Sequence, residues 1–143
     1  MTAKDRDLGR RWFDEVWNKG RREVVAEMLA PGSVLHEGSS HAVGPEGFYP
    51  FYDRLKTALS EIHARVEDTI VEGDKLCIRW SFSAKHTGQG LGIEPAGAAI
   101  DITGILIIRV ADGKIAEAWQ NWDMLGMLEQ VRGEKKAATY VTA

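Results

Sequence analysis

The hydrophobic period of this chain changes once, near residue 60, and that change constrains its fold more than any other feature. Before it, apolar residues recur every three or four positions: Leu8, Trp12, Phe13, Val16 and Trp17; then Val24, Val25, Met28 and Leu29; then Phe48, Phe51, Tyr52, Leu55 and Leu59. This is the rhythm of helices that bury one side. After it the period is two. Residues 62–72, 75–87, 99–110 and 115–122 alternate, with Gly-Asp at 73–74 and Asp-Gly at 112–113 as hairpin turns. A short helix, 124–131, follows the last strand. Three helices followed by a run of hairpins is an α+β pattern, and 143 residues suit one domain spanning 1–143. A curved antiparallel sheet wrapped around the N-terminal helices would form a half-open cone, and its mouth would be a natural small-molecule pocket.

Local signals refine this reading. "NKG" at 18–20 stops the first helix, and "APG" at 30–32 stops the second. "SVLHEG" at 33–38 reads as a short strand. Pro45 suits the first turn of the third helix, whereas Pro50 predicts a kink or restart. The tail, 134–143, is expected to be loosely ordered.

Several function classes recede. Net charge is −3 with no basic run, which speaks against nucleic acid or an acidic membrane as partner. The longest apolar run, "GILII" at 104–108, is too short to span a bilayer. With a charged, helical N-terminus and one cysteine, Cys77, the chain is expected to be cytoplasmic and free of disulfides. The four histidines are too scattered for a metal set. "GQGLGI" at 88–93 joins two strands rather than opening a helix, so it is not a phosphate loop.

Four stretches, "GPEGFYPFY", "VEGDKLCIRW", "KHTGQGLGIEPAG" and "RVADGKIAEAWQNWDMLGMLEQ", occur in one order and spacing. Together they make the chain similar to the SnoaL-like polyketide cyclase (ester cyclase) branch of the NTF2-like superfamily, from about Trp12 to about Gly133. The resemblance implies an α+β NTF2-like cone with a hydrophobic pocket, no metal, no organic cofactor and assembly as a dimer or tetramer, of which we expect the homodimer. In the cyclases an Asp near the end of the last strand is the acid/base of an intramolecular aldol closure. Alignment on the Asp-Gly-Lys-Ile turn puts Gln120 at that place. It also puts Gly104 and Leu106 where cyclases carry Gln and His. An amide cannot take up a proton near neutral pH, although it can orient a carbonyl or hydroxyl.

The proton would then move elsewhere. Candidates are His36, in the short strand, where a shift of phase would substitute Glu37; His86, closing an apolar strand face; Asp68, on the apolar face of its strand; and Asp123, for which capping of the last helix is a sufficient alternative. Asp101 is expected to face outward, and His41 and His63 to be exposed. Trp17, Tyr49, Tyr52, Trp80, Phe82, Leu106 and Trp122 are candidate walls for an aromatic ligand. Two readings compete: a cofactor-independent cyclase, isomerase or lyase acting on a hydrophobic aromatic or polyketide-like molecule, and a non-catalytic small-molecule binding module.

Overall fold

A computed structural model describes residues 1–134, so the tail expectation falls almost wholly outside the described residues. The helical third begins with two single turns, α1 (Ala3–Arg6) and α2 (Leu8–Arg11), continued by a π-helical segment, Trp12–Asn18. This replaces the continuous helix expected over 4–18. Then come α3 (Val24–Met28), β1 (Leu29–Glu37), β2 (Ser40–Val43) and α4 (Gly44–Ala58). The remainder is β3 (Leu59–Glu72), β4 (Lys75–His86), β5 (Ala98–Ala111), β6 (Lys114–Trp122) and α5 (Met124–Val131).

The turns explain why the chain reverses where it does. Asp112 and Gly113 both take positive φ, 52° and 75°, the left-handed geometry a tight hairpin requires. Gly38 (φ 58°) does the same between β1 and β2. α4 runs through Pro50 without restarting; Pro50 is exposed.

The six strands form one curved, open sheet in the order β2-β1-β6-β5-β4-β3. All neighbours are antiparallel except β1 and β6, which run parallel, with Leu35 beside Ala118 and Glu37 beside Gln120. The expected all-antiparallel sheet is corrected at this one pairing: β1 and β6 are distant in the chain and not joined by a hairpin, so nothing local imposes the antiparallel sense. The inner faces of β4 (Leu76, Ile78, Trp80, Phe82, Ala84) and β5 (Ile100, Ile102, Leu106, Ile108) are buried against Leu8, Phe13, Val16 and Trp17. Trp17 packs on Tyr52 at 5.0 Å and on Phe82 at 5.9 Å between ring centres, which ties the helices to the sheet.

Irregular register positions decide which residues reach the core. Val66 pairs with Trp80 but Asp68 with Arg79, so Glu67 is an extra residue that reverses the phase. A shift between Arg109 and Val110 likewise lets Ile115 turn inward together with Ala118, although the two stand an odd number of positions apart. Near the start of β3 the Asn18 amide supplies the missing ladder partner: Nδ2 donates to Ala64 O at 2.8 Å, and Ala64 N donates to Oδ1 at 2.6 Å.

Candidate functional site

A cavity of about 470 Å³ opens between the concave face of the sheet and the helices. Its walls are largely apolar: Trp12, Leu35, Phe48 and Phe51 on one side, Leu106, Ile108, Ala118 and Trp122 on the other. The β1–β2 hairpin forms the rim with Glu37, Gly38, Ser40 and His41. A smaller space of about 50 Å³ adjoins it, and Phe51, Gln120 and Trp122 border both.

Glu37 is the one carboxylate lining either space among the described residues. The parallel pairing with β6 places it beside Gln120, and the Trp122 indole Nε1–H donates to its Oε1 at 3.0 Å. No described residue donates to its Oε2, so one carboxylate oxygen is held and the other is free for a ligand. Gln120 is fixed in the same way. The Trp80 Nε1–H donates to Gln120 Oε1 at 3.1 Å. An indole nitrogen can only donate, so the amide oxygen must face it, and the NH₂ group remains for a ligand.

Trp80 reaches Gln120 because of Gly104. A Cβ on Gly104 would clash with Cζ2 and Cε2 of the indole ring, and Asn121 O would lie 2.9 Å from it. The absent side chain at 104 and the amide at 120 are thus linked through one tryptophan, which passes from β4 over Gly104 of β5 to reach β6. Two departures from the cyclase pattern become one structural feature.

The sequence candidates divide clearly. Gln120 and Trp122 line the site, with Leu106 beside them. Trp17, Trp80 and Phe82 line the smaller space. His36 is corrected: it borders the rim, but its ring stacks on Trp119 at 5.5 Å and its Nε2–H donates to Glu117 Oε2 at 2.8 Å, on the opposite face from Gln120. The phase of β1 gives Glu37 the inward place instead. Hydrogen bonds to Glu117, first from His36 and then from Arg109, hold its carboxyl below the usual range despite partial desolvation.

His86 is wholly buried on the inner face but lines neither space, and neither ring nitrogen has a hydrogen-bond partner among the described residues. Asp68 is exposed on Arg79 at 2.6 Å, turned outward by the bulge at Glu67. Asp123 caps α5, accepting from Gly126 N at 2.9 Å. Tyr49 stacks under the Arg22 guanidinium at 3.9 Å, away from the cavity. Tyr52 is buried beneath the wall and donates to Val16 O at 2.8 Å; desolvation pushes its phenol upward. Asp101 and His63 are exposed, and so is His41, although it stands at the rim.

Trp12, Phe48 and Phe51 were missed as cavity walls; the apolar helical stripes containing them were visible, but not which members border empty space. The "WQNWDMLGMLEQ" stretch (119–130) is now accounted for. Gln120 and Trp122 serve the cavity and Asp123 starts the helix. Gln130 pairs with the backbone of Asp101 through both amide atoms (2.7 and 2.9 Å) where β6 has ended.

Residues 8–131 match the family described as SnoaL-like polyketide cyclase. The chain belongs to that family. It is 32% identical over 133 residues to the aklanonic acid methyl ester cyclase DnrD of Streptomyces peucetius, covering 87% of this chain and 88% of that protein. Aklanonic acid methyl ester cyclase DauD of Streptomyces sp. (strain C5) is equally similar, with 80% of its length covered. Among solved structures, TsrD from Streptomyces laurentii superposes with a TM-score of 0.80 at 26% identity, over 92% of this chain and 96% of TsrD. A SnoaL-like protein of Jannaschia sp. CCS1, 24% identical, shares the fold with a TM-score of 0.82 over 92% and 94% of the two chains. Among the described residues no helix is long and apolar enough to cross a membrane.

Proposed function

We propose that this SnoaL-like protein closes a ring in a hydrophobic polyketide-like ester or ketone by acid/base chemistry without a cofactor, and that Glu37 moves the proton. The observation that carries this reading is the placement of Glu37 beside Gln120, at the mouth of an apolar cavity, with one oxygen anchored by Trp122. The likeness to aklanonic acid methyl ester cyclases suggests the methyl ester of a polyketide acid as the first substrate to try.

In this scheme Glu37 removes a proton from a carbon next to a carbonyl. The resulting carbanion attacks a second carbonyl of the same molecule, forming one C–C bond. The new alkoxide oxygen accepts from the Gln120 NH₂ and then takes back the proton from Glu37, so the product is an isomer of the substrate. An amide donor held in place before reaction stabilises developing negative charge without reorganising, an effect that grows as water is excluded. The apolar walls of Trp12, Phe48 and Phe51 supply that exclusion.

The test is turnover of aklanonic acid methyl ester, followed as conversion to a product of unchanged mass. Glu37→Gln should lower kcat by roughly 100-fold or more, the usual weight of a positioned acid/base, while the circular dichroism spectrum stays the same. Full activity in Glu37→Gln would remove Glu37 from the chemistry. Tight binding without turnover in the unaltered protein would favour a binding module, a role that a cavity with a neutral amide in the cyclase Asp position would also serve.

A further inference from the structure

The lining of the smaller space restricts what it could hold. It measures about 50 Å³ and is walled by Trp17, Leu55, Leu59, Phe82, Ile102 and Met127. By the same measure a water-sized group needs about 10–15 Å³, so there is room for about three or four heavy atoms. Of the polar side chains around it, the Trp80 N–H is given to Gln120 and the Trp122 N–H to Glu37, which leaves the Gln120 NH₂ and the Trp17 indole N–H as donors without a partner among the described residues. A small apolar space of this kind stays dry and accepts alkyl groups, while a polar group placed in it would lose its hydrogen bonds to water.

Gln120 stands at the boundary, bordering the large cavity and the small one together. Its oxygen is turned to Trp80, so a donor faces whatever lies at that boundary. A carbonyl at the junction, with its alkyl tail beyond, satisfies both constraints at once.

We propose that the small space is a subsite for the short alkyl chain of an acyl group: a ligand ketone docks its oxygen on the Gln120 NH₂ and places a chain of two to three carbons among Leu59, Phe82, Ile102 and Met127. The body of the molecule occupies the large cavity, so this inference rests on the reading of that cavity given above. Chain length, rather than the aromatic body, becomes the feature the protein measures most finely. An ω-carboxyl chain is rejected because no cationic side chain among the described residues lines the space.

The experiment is direct binding of 2-naphthyl alkyl ketones, from methyl to hexyl, measured by calorimetry and by quenching of tryptophan fluorescence. Each added methylene should tighten binding about fourfold up to the ethyl or propyl ketone, the value expected for burying one CH₂. Affinity should then fall for butyl and longer chains. Met127→Ala, which enlarges the space from α5, should move the optimum to a longer chain, and Met127→Phe should move it to methyl. Gln120→Leu should weaken the ketones but not 2-propylnaphthalene, which lacks the carbonyl. A flat series, or one that tightens steadily to hexyl, overturns the subsite while leaving the large cavity's role intact. If neither the ketones nor naphthalene itself binds, the reading of the large cavity fails as well. The chain-length series on the unaltered protein decides the matter even if a Met127 variant does not fold.

Discussion

Gly104→Ala tests the link between Gly104, Trp80 and Gln120. The added Cβ would clash with the indole atoms Cζ2 and Cε2, and it would also stand 2.9 Å from Asn121 O. The ring is buried and packs on Phe13 at 5.5 Å, so it cannot simply swing into solvent. Overpacking a core position costs about 1–3 kcal/mol, and displacing the indole from Gln120 forfeits a hydrogen bond worth about 0.5–1.5 kcal/mol. The sum is about 1.5–4.5 kcal/mol. For a chain of 143 residues a kcal/mol corresponds to about 3 °C in Tm, so the melting point should fall by about 5–14 °C. Thermal unfolding followed by circular dichroism and by tryptophan fluorescence would measure it. The same substitution made in a Trp80→Phe background should cost less, because phenylalanine lacks the part of the ring that collides, and the coupling should reach about 1–3 kcal/mol. A shift below about 2 °C, with no coupling to Trp80, would refute the reasoning and leave Gln120 positioned by something else.

Other outcomes follow from the same geometry. Gln120→Asp puts a second carboxylate beside Glu37; two such groups resist ionising together, so the acidic limb of the rate profile should move to higher pH, read from kcat against pH. Tyr52→Phe removes the bond to Val16 O and leaves a buried carbonyl unpaired, for a loss of about 1–3 kcal/mol by urea unfolding. The folded state raises the Tyr52 phenol above its ordinary 10, so the native protein loses stability as pH climbs through 10, and the phenylalanine variant should show a shallower alkaline decline. Glu117 behaves oppositely: its folded carboxyl lies below the ordinary 4.5, so its contribution is complete above that pH and disappears as pH falls through the folded value. Glu117→Gln should flatten the acid limb of a stability–pH curve without touching the cavity. Asp123→Ala removes the α5 cap at a cost of about 0.5–2 kcal/mol, seen as a lower Tm with kcat preserved.

The parts of the molecule governed by local rules could be read in advance. The period change near residue 60 marks where helices give way to β3, and the Gly-Asp and Asp-Gly turns end strands where the structure ends them. The inner faces of β4 and β5 follow simple alternation, and so the apolar wall was legible. What failed was phase wherever phase is set at a distance. Asp68 was misplaced because one extra residue, Glu67, enters β3, and nothing in its own sequence announces a bulge. His36 and Glu37 could not be ordered because β1 takes its phase from β6, a partner far along the chain. His86 lies on the face that alternation gives it, yet position along the strand, not face, puts it outside the cavity. The roles of Gly104 and Gln120 could be located by alignment, but their connection through Trp80 required three strands in register.

That parallel seam between β1 and β6 also bears on how the protein comes into being. Glu37 and Trp122, which anchor one another, are separated by 85 positions. The hairpins from β3 to β6 close over short distances and can form early, whereas β1 must wait for the last strand to be made before it has an edge to lie along. The pocket's outer wall thus depends on the pairing that spans most of the chain, whereas the rest of its sheet is closed by local hairpins. Its carboxylate is delivered by a strand synthesised long before the surface that receives it.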